Sequence, residues 1–329
     1  WCGSHSLKKK RTISPLIVQS GHMIDRRLKV LGVVAERGTV SAAAQHLGYT
    51  ASAVSHQMRT LSRDLGVALL EPDGRRVRLT PAALTLLARC DDLFALWEEI
   101  HTEVQSSSST GTGQLRLAGF STAASALLPA VAAEVSRRFP RSTVRITEAD
   151  PRVCFEMLVA DRVDLVVVVV TDLLPSTDDA RFEQHPLLAD TLDLLVPAGH
   201  RLAGRSWVSL TELAREPWIM DRPGRPHHQM VTTACAAAGF TPHQVHEVVE
   251  WDTGAALVAA GFGVALVPRL ARLPPDEDLV RVPLRGVATP VRHLRTAVRR
   301  GTAAQPEIAL ALAELQRLAA AVGRGEQVG

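Results

Sequence analysis

Residues 39–61 read TVSAAAQHLGYTASAVSHQMRTL and predict two short helices joined by a tight turn. Ser41 is placed to cap the first helix, whose alanines lack bulk and let a second helix cross close by. Gly48 permits the turn, and Thr50 is placed to cap the second helix. This order of cap, small helix, glycine and cap predicts a helix-turn-helix.

The second predicted helix has two different faces. Apolar residues at helical spacing predict a buried stripe of Val54, Met58, Leu61 and Leu65. The opposite face is small, polar and basic, and consists of Ser52, Ser55, His56, Arg59 and Arg63. With Thr50 at the helix start, this face suits the major groove of DNA, because such side chains bond to base edges and phosphates. The alternative is an ordinary amphipathic helix with a solvated face.

The flanking segments complete a small domain, predicted over residues 23–80. An earlier helix is indicated by apolar residues at helical spacing and is closed by Gly38. Later, Asp73-Gly74 is a hairpin turn signal that precedes an alternating strand at 75–79. The two apolar residues of that strand, Val77 and Leu79, are expected to face inward. The outward residues of this predicted wing, available to a phosphate backbone or minor groove, are Arg76 and Arg78, with Arg75 at the turn.

Residues 81–105 predict one long linker helix, with Thr80 as its cap and Pro81 at its first position. A heptad seam follows its length, formed by Leu86, Cys90, Leu93, Trp97, Ile100 and Val104. At ~1.5 Å per residue the helix is about 35 Å long, too long for the small domain to cover. The seam therefore predicts dimerisation with a second copy, and the alternative is packing within the same chain.

The remainder of the chain has a different pattern. Residues 106–113, SSSSTGTG, have the composition of a flexible hinge. From residue 114 short apolar strands alternate with helices in two sets, which predicts an α/β fold with right-handed crossovers. The two sets predict two lobes with a cleft between them, lobe I at about 114–186 and 287–329 and lobe II at about 187–286.

The charge of the chain is informative only locally. We interpret residues 1–22 as an expression tag, because they lack apolar periodicity and end before Met23 in a sequence typical of a cloning scar. They hold four basic residues and no acid, so without them the formal net charge of +3 becomes −1. Residues 23–80 hold nine Lys and Arg against five Asp and Glu, whereas 81–105 hold one against five, so the first domain is locally basic and the helix after it is acidic.

Cysteine and hydropathy patterns indicate the compartment. Cys90, Cys154 and Cys235 form no CxxC motif, which favours buried thiols in a reducing environment. The most apolar run, 165–170, is far shorter than the ~20 residues of a membrane-spanning helix. With no signal peptide recognised, a cytoplasmic protein is expected.

The order of these parts resembles the LysR-type transcriptional regulators from residue 26 to about residue 317. The matching motifs are Ala43-Ala44-x-x-Leu47, Ser55-x-Gln57-x-x-x-Leu61, Leu65-Gly66-Val67-x-Leu69, Gly74-Arg75-Arg76-Val77-Arg78-Leu79-Thr80, Arg162-Val163-Asp164-Leu165, Val196-Pro197-x-x-His200-x-Leu202-Ala203 and Gly261-Phe262-Gly263-Val264-Ala265-Leu266-Val267-Pro268. The resemblance implies a winged helix-turn-helix, a dimerising linker helix and a two-lobed sensor similar to periplasmic binding proteins. It also implies a bacterial homotetramer that binds double-stranded DNA and a small-molecule effector, without a cofactor or a membrane role.

Three positions depart from the family pattern. The chain has Ala51-Ser52 where the family usually opens the recognition helix with Gln-Pro, and Ala42 where an arginine is frequent. It has Leu70-Glu71-Pro72 where Phe-x-Arg often precedes the wing. These departures remove DNA contacts, so they bear on operator sequence and affinity rather than on architecture.

The resemblance also places an effector between the lobes. The implied contacts are Ser121, Thr122 and Asp150 from lobe I and Arg222, Arg225, His227, Trp251 and Asp252 from lobe II. Backbone N–H groups after Ser121 and two arginines opposite them favour a small anionic metabolite. The alternative for 222–228 is a solvated loop.

Other classes of protein fit the sequence less well. A transport-type solute-binding protein explains two lobes but neither the winged domain nor the absence of an export signal. The spacing His243-x-x-His246 crosses from a loop into a strand without a nearby cysteine, so we interpret these residues, with His227 and His228, as exposed histidines rather than metal ligands. No phosphate loop or nucleophile elbow indicates an enzyme. A peroxide-sensing disulfide is disfavoured because lobe II holds only Cys235.

Overall fold

The computed structural model describes residues 24–74, 76–107, 113–274 and 278–324. The predicted tag at 1–22, Arg75 and residues 108–112 of the predicted hinge lie outside these ranges. The chain divides into two compact units, Trp1–Trp97 and Glu98–Gly329. No helix in the described ranges is long and apolar enough to cross a membrane.

The first unit contains three helices and a hairpin. Its elements are α1 (Arg27–Arg37), α2 (Val40–Leu47), α3 (Ala51–Leu65), β1 (Leu70–Asp73) and β2 (Arg76–Leu79). The strands pair antiparallel around Gly74, whose positive φ of 60° suits the predicted turn. A hydrogen bond from the Val77 N–H to the Gly38 carbonyl, 3.2 Å, holds the wing against the end of α1.

The helix caps confirm one prediction and correct another. The Thr50 hydroxyl accepts from the Ala53 N–H at 3.2 Å, so Thr50 caps α3 as predicted. The cap of α2 is Thr39 rather than Ser41, because the Thr39 hydroxyl accepts from the Ala42 N–H at 3.1 Å. Helix α2 therefore begins earlier than the sequence indicated.

The buried stripe of α3 is shorter than predicted. Val54, Met58 and Leu61 lie in the core against α1 and α2. Leu65, expected to continue this stripe, is 46% exposed. It is the last residue of the helix, and the left-handed Gly66 that follows turns the chain away from the core.

Helix α4 (Pro81–Ser107) is continuous, and only part of its seam is available to a partner. Thr80 accepts from the Ala83 N–H at 3.1 Å and caps the helix start. Cys90, predicted at the dimer seam, is instead buried, and with partly buried Leu86 it packs into the core of the first unit. The alternative of packing within the same chain thus holds for the first half of the helix.

The second unit contains the predicted α/β pattern and additional elements. In lobe I the elements are β3 (Gln114–Gly119), α5 (Ser121–Ala126), α6 (Leu128–Arg138), β4 (Thr143–Glu148), α7 (Pro151–Val159), β5 (Leu165–Val169) and the last helix α10 (Pro306–Gly323). In lobe II they are β7 (Pro217–Met220), α8 (Pro226–Ala237), β8 (His243–Glu247), α9 (Trp251–Ala259), β9 (Ala265–Pro268) and β10 (Leu279–Val282).

Two long strands, β6 (Phe182–Pro197) and β11 (Val291–Arg299), connect the lobes. The sheet order is β10-β6-β11-β5-β3-β4, and β9 also pairs with β6. Strand β6 pairs with β11 up to Thr191 and with β9 and β10 from Leu192 onward. The change of partner therefore falls at 191–192, and β6 runs without a break through the predicted boundary at 186–187.

A partly buried ion-pair network joins β3 and β11 through Asp164, the residue before β5. The Asp164 carboxylate accepts from the Arg116 backbone N–H at 2.8 Å and lies 2.6 Å from the Arg116 guanidinium. Arg299 lies 3.2 Å from the same carboxylate and 3.6 Å from Glu98 in α4. Asp161 lies 3.0 Å from Arg116 and 3.1 Å from Arg299, so Asp164 and Asp161 are both counter-charges of these two arginines at the edge of lobe I.

Asp164→Asn is expected to lower the free energy of unfolding by about 2 kcal/mol, because it removes the least exposed carboxylate shared by Arg116 and Arg299 and leaves them the more exposed Asp161. Urea denaturation of the full chain measures this. Arg152→Gln is the control, since its pair with Glu156 is largely exposed and contributes much less. Equal midpoints for both variants would contradict the assignment.

Candidate nucleic-acid interface and effector site

The outer face of α3 is exposed as predicted from its periodicity. Ser52, His56, Arg59 and Arg63 are exposed, and Ser55 is half-buried. Thr50 is also exposed, but its hydroxyl caps the helix and lies 3.0 Å from the Ser52 hydroxyl. The face therefore presents one histidine and two arginines from a rigid helix.

The wing presents less free charge than its sequence indicated. Arg76 and Arg78 are exposed, while Val77 and Leu79 pack against the core of the first unit. Arg78 is 2.7 Å from Glu71 across the hairpin, so part of its charge is neutralised. Of the two wing arginines that the structure describes, Arg76 has no ion pair comparable to that of Arg78 with Glu71.

Tyr49 was missed by the sequence reasoning. It lies in the turn between α2 and α3, next to the cap Thr50, and is 50% exposed. An exposed aromatic hydroxyl beside a basic helix can donate to a phosphate. Its position in the turn, as the single tyrosine of the chain, was the available signal.

The predicted lobe I contacts lie at the ends of β3 and β4. Ser121 and Thr122 form the first turn of α5, and the Thr122 side chain is only 2% exposed. Asp150 precedes α7 and is exposed. Helix α5 has only six residues and ends before Leu127. Its dipole is therefore weaker than the sequence analysis assumed.

The predicted arginines of lobe II lie on an exposed loop, each close to an acid. Arg225 is 3.1 Å from Asp221, and Arg222 is 4.0 Å from Glu247. Their side chains are 43% and 58% exposed. This placement agrees with the alternative of a solvated loop.

His227 is not an exposed histidine, which corrects the sequence interpretation. Its Nε2 lies 3.2 Å from the Leu266 carbonyl oxygen, and its ring packs edge-on against Trp251 with centroids 5.0 Å apart. Burial, with a smaller contribution from the positive charge of Arg292, lowers the pKa of His227 to about 4. The ring is therefore neutral near pH 7, and Nε2 donates its hydrogen to Leu266. Asp252, the residue after Trp251, points to solvent.

A buried pair on the two crossover strands was also missed. Arg292 of β11 lies 2.7 Å from Asp190 of β6, and their side chains are 6% and 0% exposed. The Arg292 guanidinium lies over the Phe120 ring at 5.1 Å from the ring centroid. Phe120 directly precedes α5, so Arg292 lies against the start of α5 in lobe I, and its charge acts on His227 in lobe II. His227 in turn packs against Trp251, whereas Arg222 and Arg225 lie on the exposed loop.

Comparison with known proteins decides the family. Residues 108–320 match the model of the LysR substrate binding domain, and residues 26–84 match the bacterial regulatory helix-turn-helix protein model of the lysR family. The chain belongs to the LysR family of transcriptional regulators. It therefore combines a DNA-binding helix-turn-helix domain with an effector-binding domain.

Relatives and solved structures of LysR regulators extend over most of the chain. A probable transcriptional regulator, LrrA of Synechococcus elongatus, is 30% identical over 75% of this chain and 82% of its own. The dual regulator GltC of Bacillus subtilis is 28% identical over 74% and 80%. A full-length OxyR variant of Pseudomonas aeruginosa has the same fold, with a TM-score of 0.59 at 20% identity over 90% of this chain and 96% of that one.

Two other predicted features of this LysR regulator concern its histidines and cysteines. No group of three or more His, Cys, Asp and Glu side chains suited to a metal ion occurs among the described residues. Cys90, Cys154 and Cys235 are free and buried, as predicted. Burial raises the pKa of Cys154 and of Cys235 to about 12, so neither thiol is reactive near neutral pH.

The depressed pKa of His227 makes the stability of this domain sensitive to acid. The His227 imidazole takes up a proton near pH 6.5 in the unfolded chain and only near pH 4 in the folded chain. Its contribution to the free energy of unfolding is therefore fully present above pH 6.5 and is lost as the pH falls toward 4. In the His227→Gln variant, the fall in the free energy of unfolding on acidification should be smaller than in wild type by up to about 3 kcal/mol. Denaturation at pH 7 and pH 4.5 measures it, with exposed His243→Gln as the control. Identical pH dependence of wild type and His227→Gln would overturn the burial argument.

Proposed function

We propose that this LysR regulator binds operator DNA through the outer face of α3 and the wing, as a dimer joined by α4. The observation that carries this proposal is the exposed face of α3, which presents His56, Arg59 and Arg63 from a capped helix. A capped helix holds these side chains in fixed register with base edges. Residues 23–80 form the DNA-binding domain and 114–329 the effector-binding domain of a cytoplasmic homotetramer.

The exposed residues of this interface serve two purposes. His56 and Arg59, in the middle of α3, are placed for base edges, whereas Arg76 on the wing is placed for a phosphate or the minor groove. Arg78 contributes less than Arg76, because Glu71 lies 2.7 Å from its guanidinium. Tyr49 adds a phosphate contact beside the helix start.

His56→Ala or Arg59→Ala should weaken binding to a specific operator by about 1–3 kcal/mol each, with little effect on unrelated DNA. Arg76→Ala should weaken binding to all sequences and reduce the salt dependence, because it removes a phosphate contact. Gel-shift titrations at two salt concentrations measure both effects. Arg300→Ala, an exposed arginine of the second unit, is the control. Unchanged affinity and salt slope in all three interface variants would refute this interface.

The second half of α4 provides the apolar face for the dimer. Leu93, Leu96, Ile100 and Val104 are 45%, 54%, 42% and 60% exposed. Together with half-buried Trp97 they form one stripe at heptad-like spacing, whereas Leu86 and Cys90 are used inside the first unit. The proposed dimer seam therefore begins at Leu93 rather than at Leu86.

Ile100→Asp should separate the dimer, because a carboxylate in an apolar seam costs several kcal/mol. Ala88→Asp is the matched control, since it places the same charge on an exposed helix position away from the stripe. Sedimentation velocity of residues 23–107 at tens of micromolar is the measurement. A monomeric wild-type segment, or a dimer that survives Ile100→Asp, would refute the seam.

The proposed effector is a small anionic metabolite bound between the lobes, with Ser121 and Thr122 on one side and His227 and Trp251 on the other. A ligand shifts the lobe equilibrium only by its preference for one state, and ~100-fold preference supplies about 2.7 kcal/mol. Such a shift redirects DNA contacts without releasing the DNA. A thiol-based peroxide response is disfavoured, because Cys235 is buried and its pKa is raised to about 12.

A further inference from the structure

The buried guanidinium of Arg292 is only partly satisfied by the protein. Its Nε donates to Asp190 Oδ2 at 2.8 Å, and Nη2 lies 2.7 Å from the same oxygen. The other oxygen of Asp190 accepts from the Leu270 backbone N–H at 3.1 Å. Asp190 therefore engages one edge of the guanidinium with a single oxygen.

One buried donor of Arg292 has no hydrogen-bond acceptor among the described residues. Nη2 is buried and makes no hydrogen bond of acceptable geometry, despite its closeness to Asp190. A guanidinium carries five N–H donors, and a buried donor without an acceptor is energetically unfavourable. Such a group in a folded protein calls for an acceptor that the protein itself does not supply.

The surroundings of Arg292 come from both lobes. Phe120, directly before α5, lies against the guanidinium from lobe I. His227, on α8 of lobe II, is close enough for the charge of Arg292 to lower its pKa. Because His227 is neutral and donates Nε2–H to Leu266, it adds no charge beside Arg292. Arg292 is thus the buried cation at the place where the lobes meet.

We propose that Arg292 anchors the effector and that the effector is a carboxylic acid. Its carboxylate accepts from the Nη1 and Nη2 edge of the guanidinium, and its carbon skeleton lies against Phe120 and Trp251. The planar fork of arginine matches a carboxylate with two parallel hydrogen bonds. This inference rests on the proposed effector function and names both its ligand class and the residue that selects it.

A carboxylate fits this place better than a phosphate. Asp190 already balances the charge of Arg292, so each further negative charge is repelled by a buried carboxylate 2.7 Å from the guanidinium. A monoanion adds one such charge and a phosphate dianion nearly two. Arg222 and Arg225 are too exposed and too well paired to replace Arg292 as the anchor.

The test is a thermal-shift and calorimetry comparison of acetate, propionate, succinate and benzoate with their amides and with inorganic phosphate, on the full chain. Three variants are compared with wild type. Asp190→Asn combined with Arg292→Gln removes the charge but keeps a neutral pair of similar shape, which avoids an unpaired buried charge. Arg292→Lys keeps the charge but loses the fork. Arg225→Gln is the matched control on the exposed loop.

At least one carboxylate is expected to stabilise the wild type while its amide and phosphate do not. Its affinity should fall at least tenfold in the double variant, fall in Arg292→Lys, and stay within about twofold of wild type in Arg225→Gln. A carboxylate that binds the double variant as well as wild type overturns the proposal, as does stabilisation by no carboxylate of the panel. If amides alone stabilise the chain, or if only Arg225→Gln loses affinity, the effector function stands and the Arg292 anchor is wrong.

Discussion

The antiparallel pairing of β6 with β11 is the constraint on which the effector-binding domain depends. These two strands carry the chain between the lobes, and Asp190 and Arg292 face each other on them as a buried pair. At its other end β11 presents Arg299 to Asp164 and to Glu98 of α4. One strand therefore extends from the meeting point of the lobes to the second half of the linker helix.

Features set by local sequence were predictable. The periodicity of α3, the Thr50 cap and the hairpin at Gly74 depend on neighbouring residues, and the structure contains all three. The errors are of two kinds. Thr39 and Ser41 both satisfy the preference for a cap, and only the Ala42 N–H decides between them. Cys90 fits a heptad seam equally well whether the partner is a second copy or the core of the same unit, so spacing alone gave the wrong partner.

The effector site was less predictable, because its residues meet through long-range contacts. Arg292 lies in VRHLRTAVR, where three arginines and a histidine resemble an exposed strand face, and nothing local indicates Asp190 as its partner. The loop containing Arg222 and Arg225 attracted attention because of its composition, yet nearby acids occupy both arginines. Gly263 shows the same limit: a Cβ there would lie 2.6 Å from the Pro217 carbonyl oxygen, a contact between distant segments that only the fold reveals.

We propose that this LysR regulator reads a specific DNA sequence as a symmetric assembly. The most direct measurement is repeated selection of DNA by the full chain from a random duplex library, followed by sequencing of the bound fraction. We expect enrichment of one inverted repeat whose half-sites lie one helical turn, about 10 base pairs, or a multiple of it apart. Loss of that enrichment is predicted when Arg59 and His56 are both changed to alanine. Binding without enrichment of any sequence, or an enriched site without two-fold symmetry, would contradict the account.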